Sequence, residues 1–309
     1  MDLLTDLLQG AMLRRRLLDQ RHLGAGKALN FACDKSIGLH VVVRGTVYLH
    51  APKLEAPIEL HTGDVVLMAR GCTHLVSTSA KPDGAVAISA EDLSPVEGEI
   101  VATLTSGAYQ FWHSPVHPFF SELPDWFVLR TDELPRLAPL ALALGLLGSE
   151  VQRRDLGADM ALHGLLDLVF TYTMRELIER EGLAHSGWSH AIRDGQIGQV
   201  VSMMHENCSR PWTLEELAEE AGLSRTTLAE RFRDAMGDTP LHYLRTLRMQ
   251  RAMRLLSESE RNLESIASEV GYQDAFSFSK VFKRTVGVSP RDFRQRDGSE
   301  KRHPWRIQA

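Results

Sequence analysis

The chain has 309 residues, of which 43% are hydrophobic and 24% charged, a composition typical of a globular protein of about two domains. Its net charge of −5 does not by itself indicate a nucleic-acid partner, and its three cysteines are too few for a disulfide framework. No apolar run approaches the roughly 20 residues of a membrane helix, and the N-terminus lacks the features of a secretion signal, so we expect a cytoplasmic protein without a membrane segment.

Residues 28–80 are predicted to form β-strands. The segments LHVVVRGTVYLH (39–50) and IELHTGDVVLMARGCTHLVST (58–78) are rich in β-branched residues. Within the second, GDVVLMARGCTH resembles the second motif of the cupins, a strand that begins at a glycine and is followed by a turn and a histidine. His40 resembles the histidine of the first cupin motif. The resemblance implies a β-barrel or jelly roll.

This region also contains the candidate sensor residues. Cys72 and His74 are two residues apart, so an extended chain would point both side chains the same way. With His40 they form a set of thiol and imidazole ligands that suits zinc or copper. Alternatively, Cys33 and Cys72 form an oxidation-sensitive pair, or the barrel binds a small organic effector. The plain structural alternative is a buried cysteine and hydrogen-bonded histidines without any ligand.

Residues 155–181 are predicted to form a long amphipathic helix. Its apolar face is broader than the narrow seam of a coiled coil. Two roles fit this pattern, a dimerisation helix or a helix that packs on the barrel.

A repeat follows near the C-terminus. LEELAEEAGLSRTTLAERFRDAMGDTPLHYLR (214–245) and LESIASEVGYQDAFSFSKVFKRTVGVSPRDFR (263–294) match at an offset of 49 residues, which becomes 50 after the glycine. Each copy predicts a helix, a turn at Gly222 or Gly271, and a second helix. Thr213, Ser224 and Asp274 are the expected N-terminal caps. Residues 241–262, with apolar positions from Leu241 to Leu256, predict a continuous helix that holds the two copies at a fixed separation.

The second helix of each copy is expected to lie in the DNA major groove. Leu228 and Phe232, or Phe278 and Phe282, would hold it to its bundle. Residues 223–296 carry 14 Lys and Arg against 9 Asp and Glu, which favours contact with phosphate. The side chains expected to contact bases are Arg225, Thr226, Thr227, Ala229, Glu230, Ala275, Phe276, Ser277, Ser279 and Lys280. Those expected to contact phosphates are Arg233, Lys283 and Arg284.

Two motifs give the repeat a family resemblance. The text of residues 218–232 and IASEVGYQDAFSFSKVFKRTVGVSPRDFR (266–294) resemble the DNA-binding domain of the AraC/XylS transcription regulators. Residues 38–77 and GAYQFWHSPVHPFFSELPDW (107–126) resemble the cupin subgroup that includes a reactive-chlorine-responsive regulator. The resemblance implies a sequence-specific transcription regulator that is controlled by a signal sensed in its cupin domain.

The sequence thus predicts an α+β protein with a cupin-like β-barrel or jelly roll, a helical linker and an all-α tandem helix-turn-helix domain. The expected partners are double-stranded promoter DNA, RNA polymerase, an effector that is a small molecule, metal or oxidant, and a second copy in a homodimer. The alternative is a cupin metalloenzyme with an accessory DNA-binding domain, although we expect no catalytic residues. The predicted domains are 1–130 (sensor), 131–195 (linker and dimerisation region), 196–296 (DNA-binding) and 297–309 (tail).

Overall fold

The structure is a computed structural model that describes residues 4–5, 8, 14–31, 36–68, 73–81, 86–89, 98–110, 119–120, 123–153, 155–181 and 194–300. The chain divides into two compact units. One, here called the strand unit, is made mainly of residues 15–110 and 123–179. The other, called the helix unit, is made mainly of residues 180–306. The predicted α+β class is confirmed.

The strand unit contains two five-stranded sheets. Their orders are β1-β9-β3-β6-β10 and β5-β4-β7-β2-β8, and β2 runs parallel to β8. A double-sheet arrangement of this kind is typical of jelly rolls. The strands are β1 (Arg14–Gly24), β2 (Lys27–Phe31), β3 (Ser36–Arg44), β4 (Thr46–His50), β5 (Ile58–His61), β6 (Val65–Met68), β7 (His74–Ser77), β8 (Val86–Ser89), β9 (Ile100–Gln110) and β10 (Phe127–Leu129).

The apolar core of the strand unit combines side chains from both sheets. It includes Val42 and Leu104 of one sheet and Leu29 and Leu49 of the other, all buried. Because side chains alternate along a strand, Val42 and His40 of β3 share the face directed at this core. Leu39, on the opposite face of β3, is also buried, so the sheet is covered on both sides.

Two helices follow the strands, α1 (Pro139–Arg153) and α2 (Ala158–Glu181). Helix α2 packs on β9, where the ring of Tyr109 stacks on Phe170 with centroids 4.0 Å apart. The Tyr109 hydroxyl donates to Asp167 Oδ1 at 3.0 Å. A Cβ atom on Gly107 would lie 2.6 Å from Leu166, so the glycine permits this close approach. Of the two roles predicted for residues 155–181, packing on the strands is the one observed.

The helix unit is built around one long helix. Tyr243 of this helix, α6 (Pro240–Glu258), contacts Phe232 edge-on, with ring centroids 5.7 Å apart. Met249 and Leu256 of the same helix belong to the core of Phe278 and Phe282. The predicted connecting helix is therefore confirmed, although it ends at Glu258 and not at Asn262. Of the helices that the structure describes, none is long and apolar enough to span a membrane. The helices of the unit are α3 (Gly195–Glu206), α4 (Leu214–Glu220), α5 (Arg225–Met236), α6 (Pro240–Glu258), α7 (Leu263–Glu269), α8 (Ala275–Val286) and α9 (Pro290–Glu300).

Candidate DNA interface and sensor site

Helices α4 and α5 form the first helix-turn-helix unit. The Thr213 hydroxyl accepts from the backbone N–H of Glu216 at 3.1 Å, and the Glu216 carboxylate accepts in return from the N–H of Thr213 at 2.8 Å. This is a complete capping box. Gly222 has a φ of +64° at the turn, and the Ser224 hydroxyl accepts from the N–H of Thr227 to begin α5. The three local features predicted from the sequence are therefore confirmed.

Helices α7 and α8 form the second unit in the same way. Gly271 has a φ of +80°, and the N–H of Tyr272 donates to the carbonyl of Ala267 across the turn. The Asp274 carboxylate caps α8 by accepting from the N–H of Ser277 at 2.7 Å. Hydrogen bonds from the N–H and hydroxyl of Ser277 hold the pKa of Asp274 below its ordinary value, so the cap is a charged carboxylate near neutral pH.

Each unit is also held by an arginine from the helix that follows it. Arg248 of α6 donates to the carbonyls of Cys208 and Arg210 in the loop before α4. Arg294 of α9 likewise donates to the carbonyls of Leu256 and Arg261 at the end of α6 and in the loop before α7. These arginines were not predicted from the sequence, because each contact joins residues more than 30 positions apart. They fix the loop from which each unit begins.

Helix α5 keeps its core residues, Leu228 and Phe232, fully buried. Of the side chains expected to contact DNA, Arg225, Thr226, Glu230 and Arg233 are exposed, and Thr227 and Ala229 are half-buried. The outward face of α5 therefore carries both signs of charge. The Thr227 hydroxyl lies 2.8 Å from the Ser224 hydroxyl and so belongs to the cap.

Helix α8 presents a more basic outward face. Phe278 and Phe282 are fully buried against Tyr272 and Phe293. Among the predicted contact residues, Ala275 and Ser279 are half-buried and the Ser277 hydroxyl donates to Asp274. The remaining four are exposed. They are one aromatic residue, Phe276, and three cations, Lys280, Lys283 and Arg284.

Two ion pairs in the first unit were not predicted. Arg225, at the start of α5, forms an exposed ion pair with Glu215 of α4, which lowers the pKa of that carboxyl. Arg231 donates to Asp194 and Gln196 at the start of α3, both at 2.6 Å. Arg231 thus anchors α3 to the recognition helix, whereas Arg225 remains at the surface.

The candidate sensor residues His40 and His74 lie in opposite sheets and meet in the interior of the strand unit. Their Nε2 atoms are 2.8 Å apart, and His40 Nδ1 lies 2.6 Å from the Ser106 hydroxyl. Phe31 stacks on His74 with ring centroids 5.0 Å apart, and Trp126 approaches His74 edge-on at 5.6 Å. Both histidines are buried, so the sequence grouped two residues that the fold brings into contact.

Burial, followed by the proximity of His74, lowers the pKa of His40 well below its ordinary value. His40 is therefore neutral near pH 7, with one ring nitrogen protonated and the other carrying a lone pair. If Nδ1 donates to Ser106, the lone pair lies on Nε2 and is directed at His74. Neutral imidazole with its second nitrogen held by a hydrogen bond is the usual form of a metal-binding histidine.

The pair would supply two ligands of a zinc or copper site after a small movement. Two imidazole nitrogens on one tetrahedral zinc are about 3.3 Å apart, so a shift of about half an ångström would open the observed contact enough. Within the described ranges, no group of three or more His, Cys, Asp or Glu could hold a metal ion. The expected third ligand, Cys72, lies outside the described residues, as does Cys33.

The chain matches two protein families. The family described as Cupin matches residues 2–179, and the family described as Helix-turn-helix domain matches residues 217–296. A putative AraC-like transcription regulator of Streptomyces lividans is 30% identical, over 96% of this chain and 98% of that protein. The RCS-specific HTH-type transcriptional activator RclR of Escherichia coli is 29% identical, over 78% and 81%. Regulator AlkR of Acinetobacter baylyi is 29% identical, over 76% and 80%. Both parts of the chain thus match the families expected from their motifs.

Proposed function

The chain belongs to the AraC-like transcription regulators with an N-terminal cupin domain, and we propose that both of its helix-turn-helix units contact one promoter site. The observation that carries this proposal is the arrangement of α5 and α8. Each is capped at its N-terminus, buries one face in the core and leaves its opposite face exposed. The long helix α6 contributes to the cores of both units, so it would hold them together on successive major grooves.

We assign the contacts by chemistry. Arg225 and Lys280 suit guanine, Glu230 suits the amino group of cytosine, and apolar side chains suit the thymine methyl group. The cations near the C-terminal ends of the two helices, Arg233, Lys283 and Arg284, suit phosphates. The half-buried residues of these helices, Thr227, Ala229, Ala275 and Ser279, and Ser277, which donates to the cap Asp274, would lie at the edges of the contact surface.

The remaining partners follow from this role. The protein would act in the cytoplasm as an activator, with RNA polymerase as its protein partner at the promoter. A homodimer is a further proposal. Leu166 and Phe170 of α2 contact β9, whereas Met160 and Leu168 of the same helix are exposed. One side of α2 is therefore used within the chain and another is accessible to a second copy.

The experiment that tests the proposed function is selection of DNA by the full-length protein from a random duplex library. We expect enrichment of one site with two conserved boxes about 10 base pairs apart, centre to centre. Alanine at both Arg225 and Lys280 should abolish the enrichment while leaving weak, salt-sensitive binding. Enrichment of no sequence by the wild-type protein, with or without added metal and oxidant, would contradict the proposal.

For the sensor domain we propose that His40 and His74 hold the signal as a bound zinc or copper ion, and the support is the contact of their Nε2 atoms inside the strand unit. A bound ion would supply a fixed positive charge between the two sheets and link their positions. The alternatives predicted from the sequence are thiol oxidation at Cys33 and Cys72 and a small organic effector. The relatives are regulators, so the alternative function, a cupin metalloenzyme, is less favoured. Catalytic turnover by the metal-loaded protein would support that alternative.

The metal content of the full-length protein, purified under reducing conditions, tests this assignment. We expect one zinc or copper per chain in the wild type and none in His74→Ala. His61→Ala is the matched control, because His61 belongs to the same unit but is exposed and bonded to Thr46. Absence of metal from all three proteins would exclude His40 and His74 as ligands and favour an oxidant or an organic effector.

A further inference from the structure

Phe276 is an aromatic side chain that the core of the helix unit does not use. It is 81% exposed, whereas Phe278 and Phe282 of the same helix are fully buried. With 3.6 residues per turn, Phe276 and Lys280 lie one above the other on the side of α8 that faces away from the core. Single exposed apolar residues are common, so exposure alone assigns no role. The surroundings of Phe276 are more informative.

The first turn of α8 is held rigidly. Asp274 accepts from both the N–H and the hydroxyl of Ser277, at 2.7 and 2.8 Å. This cap fixes the backbone on both sides of Phe276, the second residue of the helix. The N-terminal residues of a recognition helix are those that contact base edges. Phe276 thus presents a fixed apolar group at the position where a base would be read.

The charges around Phe276 favour DNA over an apolar protein surface. Lys280 lies one turn further along the same face, and Lys283 and Arg284 occupy the last turn, all exposed. The acidic group nearest in sequence, Asp274, is occupied by the cap. An aromatic side chain next to a row of cations suits the DNA major groove. There the aromatic ring could contact a thymine methyl group while the cations contact backbone phosphates.

The first unit has different chemistry at the matching position. Phe276 corresponds to Thr226, and Ala275 corresponds to Arg225, at the offset of 50 residues. The first turn of α5 is therefore polar and carries a cation, whereas that of α8 is apolar. The two units cannot read the same base in the same way.

We infer that Phe276 contacts the C5 methyl group of a thymine in the box bound by the second helix-turn-helix unit. The inference rests on the proposed function and names what one part of that interface recognises. The thymine methyl is the apolar feature that the major groove offers to a side chain. Phe276 is therefore a specificity-determining residue of the second unit.

The test replaces single thymines of the selected DNA site by deoxyuridine, which removes the methyl group and keeps the base pairing. Full-length wild-type protein should lose about fourfold in affinity at one thymine, the effect of one buried methyl group. Phe276→Ala should bind the thymine and deoxyuridine sites equally, and Phe276→Leu should retain part of the difference. Thr226→Ala, the matched control in the first unit, should keep the full fourfold difference.

The outcomes separate this inference from the function on which it rests. If the wild type selects a site but Phe276→Ala keeps the sensitivity to deoxyuridine, the thymine contact is wrong and DNA binding stands. If the wild-type protein binds every thymine site and its deoxyuridine counterpart equally, the thymine contact is also wrong. That result would favour a protein partner for Phe276. If the wild type selects no sequence, the proposed function and this contact both fail. Unchanged thermal unfolding of Phe276→Ala would show that the variant is folded.

Discussion

The two helix-turn-helix units share a frame and differ on the face that it presents. Each begins from a loop held by an arginine, Arg248 or Arg294, turns at a glycine with positive φ, and starts its recognition helix at a capping side chain. The outward face of α5 carries Glu230, Arg233 and Asp234, whereas that of α8 carries Phe276 and cations. The local rules that build the frame therefore leave the contact surface free to vary.

The two recognition helices should therefore contribute unequally to phosphate attraction and to base choice. Three exposed cations on α8 would supply most of the attraction to phosphate, and the mixed charges of α5 would contribute more to base choice. Variants at matched positions of the two units test where the units are alike and where they differ.

The largest expected difference between the units is the loss of unfolding free energy when their turn glycines are replaced. A Cβ atom on Gly271 would lie 2.4 Å from the backbone oxygen of Ser209, whereas one on Gly222 would meet nothing closer than 3.9 Å. Gly271→Ala should cost about 3 kcal/mol of unfolding free energy, and Gly222→Ala about 1 kcal/mol from its left-handed backbone alone. Denaturant unfolding measures both. Gly287→Ala, with a φ of +90° and open space, is the control and should resemble Gly222→Ala.

A smaller effect is expected for the readout of bases. Lys280→Ala should lose about 1–3 kcal/mol of discrimination at one guanine, and Glu230→Ala should lose a comparable preference for cytosine in the other box. Competition between the selected site and single-base variants measures both. If either variant changed preference in both boxes, the assignment of one box to each unit would be wrong.

The dependence of DNA affinity on salt should also distinguish the units. Lys283→Ala should weaken binding to all sequences alike and lower the slope of log affinity against log salt by about one. Removing Arg284 as well should lower it by about two, whereas Arg233→Ala in the first unit should lower it by about one. Equal base preference before and after each change is the control. A slope that none of the three variants alters would show that these cations do not contact phosphate.

The smallest expected effect concerns the caps. The folded pKa of Asp274 is lowered, so its contribution to stability is present above its unfolded value, about 3.9, and is lost as the pH falls through the folded value. The corresponding cap in the first unit, Ser224, does not titrate in this range. Thermal unfolding from pH 7 to pH 3 should show a small difference between wild type and Asp274→Ser that changes only below about pH 4. A difference that is constant with pH would contradict a charged cap.

The sequence predicted the frame of the helix unit because its signals are local. Thr213, Ser224 and Asp274 act within three residues of themselves, and Gly222 and Gly271 mark their own turns. The clamps from Arg248 and Arg294 could not be predicted, since they depend on how distant segments approach one another. The role of Phe276 lies between these cases, because the sequence singled out the residue and only the fold showed its exposure.

Contacts between distant segments also limit what the sequence predicts about the sensor site. A motif resemblance placed His40 and His74 in one group, but their contact depends on two strands that belong to opposite sheets. Ser106 was missed because it joins His40 only through the pairing of β3 with β9. The third predicted ligand, Cys72, and the redox candidate Cys33 stay predictions. The identity of the signal depends on chemistry that strand pairing does not determine.

The most direct test of joint DNA recognition is a change of spacing between the two boxes of the selected site. We would measure the affinity of the full-length protein for that site with and without an insertion of five base pairs between the boxes. Because α6 contributes to the cores of both units and joins them, the insertion should turn one box to the far side of the duplex and reduce the affinity to that for a site with one box. Unchanged affinity after the insertion would contradict the claim that both units bind one site together.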